Sequence, residues 1–473
     1  MSSGPSKLND LPAESLANDA DTDAIGLETS GYSSSSPRAA DGPKPRLYRV
    51  IWRWHFYAGL IVSPILLLAA ITGAFYVFHT ELSGWLYEDL YFVEPTGERL
   101  CYDKLLDIAR KAADGKEVEF LTVHDDPRRS TEFAAHVHEG GDANPNQMHR
   151  SVFVNPYTGK VLGTRIQEEE FFHIVLELHR TLFGGAPGRI IVELATSWGL
   201  VLFVTGVFLW WPRNKTRVYG VWLPRLKGKS YLILRDLHAV SGIYVVPLVA
   251  IILATGLFMS QVWGSGYTWI SVQAGQSLGA FLARGESKVV SEGSSPASLD
   301  RSIAAVLEHR RHDDVMSFMP ATTPKQTHKA YLMTRGDVNT VRGFDIDQYT
   351  GAIVTATQTA ELKTMVRVLA FVESLHQGLT FGMTSKILAF LTCLALIGMV
   401  ITGVWMWWNR RPKGETGFPQ RPKQEAVPKW VWGLTVLLAI LLPTVGASIV
   451  LILFGDWLVR RIVGYTQKSL TGA

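Results

Sequence analysis

Four histidines occupy duplicated positions in this sequence, and imidazole is a side chain that ligates iron, copper and zinc. Two spacing patterns carry them. His55, Gly59, Pro64, Thr72 and Gly73 recur at identical intervals as His238, Gly242, Pro247, Thr255 and Gly256. Likewise, His179 precedes Thr205-Gly206-Val207 by the same interval that separates His376 from Thr402-Gly403-Val404. The sequence therefore predicts an internal two-fold repeat with four equivalent imidazoles.

Long apolar runs surround these histidines and predict a membrane protein. Hydrophobic residues make up 47% of the 473-residue chain and are concentrated in a few stretches. Each stretch is long enough to cross a hydrocarbon core of about 30 Å at about 1.5 Å per residue. Five spans are predicted, at 47–79, 188–211, 234–262, 386–409 and 430–456.

The distribution of Lys and Arg predicts the orientation of the spans. Basic residues cluster before the first span and in the connections 212–233 and 410–429, which are therefore expected to be cytoplasmic. The long connections 80–187 and 263–385 are then external, and so is the tail 457–473 after a fifth span, although Arg460 and Arg461 fit that placement of the tail poorly. Residues 1–46 are rich in Ser, Ala, Asp and Pro and are predicted to be a disordered cytoplasmic tail.

The two external connections share a repeated turn. Asn155–Leu162 and Asp347–Val354 are both centred on Tyr-Thr-Gly and lie between runs rich in β-branched and aromatic residues. This pattern is typical of a hairpin turn between two strands. Helical stretches are predicted near 102–113 and 298–309, and strands near 118–123, 131–137, 315–319 and 328–334. Each connection is thus predicted to be a small α+β domain inserted into a helical multi-pass membrane protein.

Depth in the membrane pairs His55 with His238 near the cytoplasmic ends of their spans, and His179 with His376 near the external ends. A repeat axis along the membrane normal would make each pair face one another. A histidine in or near a bilayer is costly without a partner. Two facing imidazoles can fill both axial positions of a haem iron, which suits electron transfer. Two haem b sites are therefore predicted.

Neighbouring residues could complete these sites. Gly59 and Gly242 lie four residues after their histidines, on the same helix face, and could leave room for a flat macrocycle or for ordinary close helix packing. Arg53, Arg235 and Arg180 lie beside the histidines and could pair with haem propionates.

Alternatives remain open for individual histidines. Any one of the four could be an ordinary interfacial residue. His79 and His173 lie near the external rim without counterparts in the other half, and they are either interfacial residues or alternative outer ligands. His136-Val137-His138-Glu139, with Asp142 and His149, is either an exposed metal site or a loop.

Several chemistries are not expected. The sequence has no Gly-rich phosphate loop after a strand, no Gly-x-Ser-x-Gly elbow and no His-Glu-x-x-His helix, so flavin or nicotinamide binding is not predicted. Cys101 lies in an external connection and Cys393 in a span, so a disulfide between them is not expected. The net charge of +4 comes largely from the basic inner connections and gives no argument for nucleic-acid binding.

One helix length poses a problem. An unbroken helix from His179 to Trp211 would run about 48 Å, which is longer than the hydrocarbon core. Either His179 lies at or beyond the outer rim, or the chain bends near Gly184, Gly185 and Pro187, where helix breakers are concentrated.

In combination, these motifs resemble the PepSY-associated transmembrane proteins, often called iron-regulated membrane proteins, which include bacterial ferric-siderophore reductases. The matching segments are Trp54-His55, Leu178-His179-Arg180, Asp236-Leu237-His238, Leu375-His376-Gln377-Gly378, the Thr-Gly-Val runs and the Tyr-Thr-Gly turns. The resemblance covers residues 48–411.

The resemblance implies a bacterial inner-membrane protein with two PepSY-like periplasmic domains and two haem b groups bound by the four duplicated histidines. It further implies electron transfer to an external ferric siderophore, with release of Fe(II). The electron donor stays unidentified and is either a quinone or a cytoplasmic reductase. Two alternatives stay open: a non-catalytic membrane protein whose paired external domains bind a partner, and a transporter accessory. Against transport, no charged residue deep in a span is evident as a site for a coupling ion.

Overall fold

The structure is a computed structural model that describes residues 46–137, 148–212, 218–276, 278–287, 295–334, 340–412, 414–415, 417–419 and 428–471. The predicted N-terminal tail lies outside the described residues, apart from Arg46. The helices are α1 (Arg46–Tyr76), α2 (His79–Leu86), α3 (Glu88–Tyr91), α4 (Tyr102–Ala112), α5 (Phe171–Thr181), α6 (Gly185–Trp210), α7 (Ser230–Leu257), α8 (Val262–Gln273), α9 (Leu278–Leu282), α10 (Leu299–Leu307), α11 (Thr364–His376), α12 (Met383–Arg410), α13 (Lys429–Leu441) and α14 (Pro443–Thr471). The strands are β1 (Val118–Val123), β2 (Thr131–Val137), β3 (Met148–Val154), β4 (Val161–Ile166), β5 (Asp314–Met319), β6 (His328–Thr334), β7 (Arg342–Ile346) and β8 (Ile353–Gln358).

Four helices in the described part of the chain are long and apolar enough to cross a membrane: α1, α6, α7 and α12. They correspond to the first four predicted spans. Helix α1 packs against α6 and α12, and α7 packs against the same two helices, so the four form a bundle. Its central layer is apolar and includes Leu66, Phe203, Val249 and Leu253. Within a bilayer, such a layer holds the helices together only as far as its side chains pack better against one another than against lipid.

The fifth predicted span is not a single helix. Helix α13 ends at Leu441, and α14 begins at Pro443, which has no backbone N–H and whose ring blocks continuation of the preceding helix. Helix α13 has 13 residues and is about 20 Å long, too short to cross the hydrocarbon core. The bend between them is sharp, because a Cβ at Gly446 would lie 2.8 Å from the carbonyl oxygen of Ala439. We call α13 and α14 the V-shaped helix pair.

The tip of the V-shaped helix pair packs on the bundle. The side chains of Leu442 and Val445 are buried against Leu257. Two polar contacts add to this: Thr444 Oγ1 donates to Ser197 Oγ at 3.2 Å, and Trp198 Nε1 donates to Ser448 Oγ at 3.1 Å.

The two long connections between the spans form one sheet rather than two. All eight strands are antiparallel, in the order β4-β3-β2-β1-β5-β6-β7-β8. The two halves join where β1 pairs with β5, with Leu121 opposite Phe318. Pairing covers two strand edges that would otherwise be exposed, and the apolar cores under the two halves merge. The predicted strands and the helices α4 and α10 are confirmed, and the two predicted α+β regions are joined edge to edge in one sheet.

The helices α4 and α10 cap one another across the join. The backbone N–H of Tyr102, at the start of α4, donates to Asp300 Oδ2 at 2.9 Å, and that of Leu299, at the start of α10, donates to Asp103 Oδ2 at 3.0 Å. A carboxylate at a helix N-terminus satisfies an unpaired donor and complements the helix dipole. Because each half supplies the other's cap, the two halves are locked at a fixed relative position.

The repeated turns have the predicted form. Asn155 Oδ1 accepts from the backbone N–H groups of Tyr157 and Thr158, and Asp347 Oδ1 accepts from those of Tyr349 and Thr350. Such Asx turns reverse the chain between strands. The turn then needs a left-handed residue, which glycine supplies at φ 72° and 70°.

A bend separates α5 from α6 and resolves the problem of helix length. Leu182 and Phe183 adopt left-handed conformations at φ 52° and 59°, and the chain then enters α6 through Gly184 and Gly185. The breakers identified in the sequence therefore act as predicted. Gly188 is essential to this corner, because a Cβ there would lie 1.6 Å from the carbonyl oxygen of Thr181. The bend lets α5 fold back against α1.

Candidate functional site

The inner pair, His55 and His238, is brought together inside the bundle. His55 lies on α1 and His238 on α7, and their ring centroids are 6.4 Å apart with an angle of 82° between the ring planes. Both side chains are half-buried. The two rings therefore meet edge to face across the bundle at one depth.

The outer pair, His179 and His376, has nearly the same spacing. Its ring centroids are 6.3 Å apart, with an angle of 54° between the planes. These histidines lie on α5 and α11, the short helices that precede the spans α6 and α12. Burial lowers the pKa of both imidazoles, and that of His376 falls to about 4 with His179 as a further cause. Both rings are therefore neutral at physiological pH, as a metal ligand must be.

Each histidine ring is held by a Thr-Gly pair on a neighbouring span. We call each pair, with the carbonyl three residues before its threonine, a Thr-Gly seat. The Nδ1 atom of the ring lies close to the threonine oxygen in all four seats: 2.9 Å for His55 and Thr205, 3.3 Å for His238 and Thr402, 3.0 Å for His179 and Thr72, and 3.2 Å for His376 and Thr255. The repeat of the sequence thus becomes a repeat of ring contacts.

The carbonyl of each seat assigns the tautomer of the ring. His238 Nδ1 lies 3.0 Å from the carbonyl oxygen of Met399, His179 Nδ1 lies 2.9 Å from that of Ala69, and His376 Nδ1 lies 3.0 Å from that of Ile252. His55 has the corresponding contact with Leu202. Because a carbonyl oxygen only accepts, Nδ1 carries the hydrogen, and in the neutral ring the lone pair is then on Nε2.

The glycine of each seat lies under the ring. A Cβ would lie 3.4 Å from His55 Cε1 at Gly206, 3.2 Å from His238 Cε1 at Gly403, 3.3 Å from His179 Cε1 at Gly73 and 3.0 Å from His376 Cε1 at Gly256. These are closer than ordinary contacts, so a larger residue would push the imidazole away from the helix.

The geometry fits a metal ion between the two rings of each pair. A metal bound about 2 Å from each of two opposed imidazole nitrogens holds the ring centres roughly 6 Å apart. In the described part of the chain, no hydrogen bond occupies Nε2 of any of the four histidines. No cluster of three or more His, Cys, Asp or Glu side chains in the described residues suits a metal ion. A metal held by two histidines alone needs its other ligands from elsewhere, and the porphyrin of a haem supplies four.

The two pairs are stacked along the bundle axis. Thr72, which contacts His179 at the outer pair, comes 17 residues after His55 on α1, or about 25 Å along the helix. Thr255 has the same relation to His238 on α7. The apolar layer around Phe203 lies between the two levels.

The glycines one turn after the inner histidines face side chains rather than backbone. A Cβ at Gly59 would meet Leu202 at 3.8 Å, and one at Gly242 would meet Met399 Cε at 3.3 Å. Close approach of two helix backbones therefore does not explain these glycines. Side chains of neighbouring spans lie beside both glycines, as in close helix packing, and room for a macrocycle stays a prediction.

The three arginines proposed beside the histidines differ in their surroundings. The guanidinium of Arg235 is paired with Asp236, which is fully buried and also accepts from Arg225 Nε at 2.6 Å. Arg235 is therefore committed to Asp236 and is not a free propionate partner. Arg53 is half-buried near the inner pair, and Arg180 is exposed beside the outer pair.

The alternative outer histidines do not join the outer pair. His79 stacks on Tyr76 with ring centroids 4.3 Å apart, and its Nδ1 donates to the carbonyl oxygen of Tyr76 at 2.8 Å. It therefore has the surroundings of an interfacial packing residue. His173 is half-buried on α5, six residues before His179 and thus on a different face of the helix.

The alternative metal site of the first connection is only partly described. The Cα atoms of His136 and His149 are opposite one another on β2 and β3. His138, Glu139 and Asp142 lie outside the described residues, so the site stays a sequence-based alternative.

Comparison with known proteins places this arrangement in a family. Residues 52–410 match the family described as the PepSY-associated TM region. The chain belongs to this family. The match includes both histidine pairs, all four seats and the eight-stranded sheet of this PepSY-associated protein, and it ends before the V-shaped helix pair. A search of curated proteins finds no match.

Sequence reasoning missed the role of the threonines. The sequence shows that the Thr-Gly dipeptides are duplicated, but their contact with the histidines was not predicted. The sequence held a signal for this role, because each Thr-Gly dipeptide recurs in the other half at the same distance from a histidine. What the sequence could not give is the partner of each dipeptide, because the seats for the inner pair lie on α6 and α12, while those for the outer pair lie on α1 and α7.

Proposed function

We propose that this protein is a transmembrane electron-transfer protein that holds two haem b groups and reduces a ferric chelate on the side of the membrane where the sheet lies. One haem would be bound by His55 and His238, and the other by His179 and His376. The observation that carries this proposal is the ring spacing of 6.4 Å and 6.3 Å, which fits one metal ion between each pair.

The chain's own residues would bind, orient and insulate the two centres. The four histidines would hold the two haem groups through Nε2, because the seats engage Nδ1 of each ring. Haem b with two histidine ligands carries one electron at a time and has no open coordination position. The apolar layer around Phe203 keeps water and ions out of the space between the centres. No side chain is required as a general acid or base.

The acceptor proposed is a ferric siderophore or a similar ferric chelate. One electron converts Fe(III) in the chelate to Fe(II), for which hard oxygen donors have a lower affinity, and the iron is then released. The proposed outer side is the periplasm of a bacterial inner membrane, because β1 and β5 join the two long connections on one side and the basic connections lie on the other.

The V-shaped helix pair changes the proposed topology of the C-terminus. A helix of about 20 Å that bends sharply at Leu442 would enter the membrane from the cytoplasmic side and leave on the same side. The tail would then be cytoplasmic, which agrees with the positions of Arg460 and Arg461. A cysteine introduced near residue 470 should be labelled by a membrane-impermeant thiol reagent only after the cytoplasmic side is exposed.

The proposed electron donor is a membrane-dissolved quinol rather than a cytoplasmic reductase. An apolar crevice of about 620 Å³ lies between α1 and α12, lined on one side by Leu60 and Pro64 and on the other by Val404 and the exposed Trp405. Val404 directly follows the seat of His238. Each quinol would deliver two electrons, one at a time, and release two protons to the cytoplasmic side. Ile401→Trp should slow reduction by a quinol, whereas Leu394→Trp, equally exposed on the same helix, should not.

Transport and passive partner binding fit the contacts less well. Glu193 is a buried carboxylate in a span, contrary to the expectation from sequence, but its oxygens accept from the backbone N–H groups of Val262 and Trp263 and so cap α8. It is therefore committed to structure rather than available to a coupling ion. A protein that only binds partners through its sheet would not need the inner histidine pair.

The test is optical. Protein purified after expression with added haem should show the sharp low-spin bands of bis-histidine haem b on reduction. The reduced protein should reoxidise faster with a ferric hydroxamate than with the same chelator free of iron. A colourless protein would refute the proposal, and equal reoxidation rates would remove ferric chelates as acceptors.

A further inference from the structure

The Thr-Gly seats occur four times with the same contacts, although they lie on four different spans. In each seat a histidine Nδ1 atom lies 2.9–3.3 Å from a threonine oxygen, and a ring Cε1 atom lies over a glycine. Helix packing alone requires small residues but does not require a threonine before each of them.

The hydroxyl hydrogen of each seat threonine is already committed to its own helix. Thr72 Oγ1 donates to the carbonyl oxygen of Leu68 at 2.7 Å, and Thr205, Thr255 and Thr402 donate to the carbonyl four residues earlier at 2.9, 2.8 and 2.7 Å. The oxygen therefore faces the imidazole as an acceptor. Two acceptors, the threonine oxygen and the carbonyl, then share one Nδ1 hydrogen.

We propose that Thr72, Thr205, Thr255 and Thr402, with the glycines that follow them, are positioning residues that fix each imidazole with its Nε2 lone pair towards the partner ring. This inference rests on the proposed function. The threonine sets the ring's tautomer and rotation, and the glycine sets its distance from the helix. Acceptors on Nδ1 also make Nε2 more electron-rich, which stabilises a ferric over a ferrous centre.

The threonines are tested by isosteric replacement at each level. Thr205→Val removes the acceptor at the inner pair and Thr255→Val removes it at the outer pair, while Thr435→Val is a control on α13, where the hydroxyl contacts only its own helix. Each seat variant should raise the midpoint potential of the centre at its own level and leave the other unchanged. Thr205→Ser and Thr255→Ser should restore the wild-type potentials. A purely structural role would not produce a level-specific shift or its rescue by serine.

The glycines are tested by added methyl groups. Gly256→Ala has the closest contact with its ring, at 3.0 Å, and Gly206→Ala the most distant, at 3.4 Å. Gly398→Ala, on α12, is the control because nothing lies within 4 Å of its Cβ position. Gly256→Ala should lower haem affinity at the outer pair by about 10-fold to 100-fold. Gly206→Ala should have a smaller effect at the inner pair.

The outcomes separate the two proposals. If wild-type protein binds two haems and the Val and Ala variants match their controls in potential and affinity, the positioning inference is overturned while the proposed function stands. If wild-type protein binds no haem, both are overturned. If the shifts occur at the wrong level, the assignment of seats to histidine pairs is wrong.

Discussion

The inner and outer histidine pairs have almost the same ring spacing, 6.4 Å and 6.3 Å, but they are built differently. His55 and His238 lie on the spans α1 and α7 themselves. His179 and His376 lie on short helices that must fold back against these same spans. The inner pair therefore depends on two continuous helices, whereas the outer pair depends on two corners of the chain. Nearly the same ring spacing is thus reached through different local structure.

The corner before α6 gives the largest expected difference between the pairs. In Gly188→Ala the new Cβ would lie 1.6 Å from the carbonyl oxygen of Thr181, so α5 must move away from α1. We expect loss of the outer haem and retention of the inner haem, measured as haem per chain and by optical spectra. Gly266→Ala, whose Cβ position is open, serves as the control. Loss of both haems in folded protein would show that the pairs are not independent.

Removal of a charge beside the inner pair should change the midpoint potential of the inner centre and not that of the outer centre. Asp236 is fully buried and bound by Arg225 and Arg235 two residues before His238. Asp236→Asn removes a negative charge that stabilises the ferric over the ferrous state by about 1 kcal/mol at protein-like dielectric. The inner midpoint potential should rise by about 40 mV, at 59 mV per tenfold change for one electron. A redox titration that shows the same rise at the outer centre would contradict the separation of the sites.

Substitution of a left-handed residue in the outer corner should have a smaller effect than the two changes above, on the temperature at which the outer haem is lost. Phe183 is exposed with φ 59°, and Phe381, after the second outer histidine, is similarly exposed without a positive φ. Phe183→Gly relieves backbone strain of about 1 kcal/mol, whereas Phe381→Gly only adds backbone freedom. Thermal loss of the outer haem should therefore occur at a higher temperature in Phe183→Gly than in Phe381→Gly. The reverse order would show that the corner is not strained.

The angles between the ring planes give the finest distinction. The inner rings are close to perpendicular at 82°, and the outer rings are tilted at 54°. Perpendicular axial imidazoles reduce the splitting of the iron d orbitals, so the inner centre should show the larger maximum g value in low-temperature electron paramagnetic resonance. His376→Ala should leave this signal in place. Two identical signals would mean that the bound rings reorient.

The sequence predicted the parts of this comparison that depend on local spacing. Identical intervals after His55 and His238, and after His179 and His376, identified the four histidines, and the breakers near Gly184 located the outer corner. Apolar length predicted five spans, and four of them are helices long and apolar enough to cross a membrane. The same criterion predicted one helix over 430–456, because a hydropathy average is insensitive to a single proline. Pro443 nevertheless ends the preceding helix.

Contacts between the two halves could not be predicted from the sequence. The pairing of Leu121 with Phe318 joins two strand edges that are 197 residues apart. The residue pattern of neither strand indicates which other strand it pairs with. A local contact was also missed: Arg235 was considered as a propionate partner, but its guanidinium pairs with the neighbouring Asp236, which also binds Arg225. Long-range pairing depends on how whole helices and strands dock, which a single sequence does not encode in its local pattern.

Haem content per chain tests the central claim most directly. Wild-type protein should contain two haem b groups per chain, His238→Ala and His376→Ala should each contain one, and the double variant none. The single variants should lose different centres, identified by their potentials. A wild-type protein without haem, or single variants that keep both haems, would contradict the assignment of two separate bis-histidine sites.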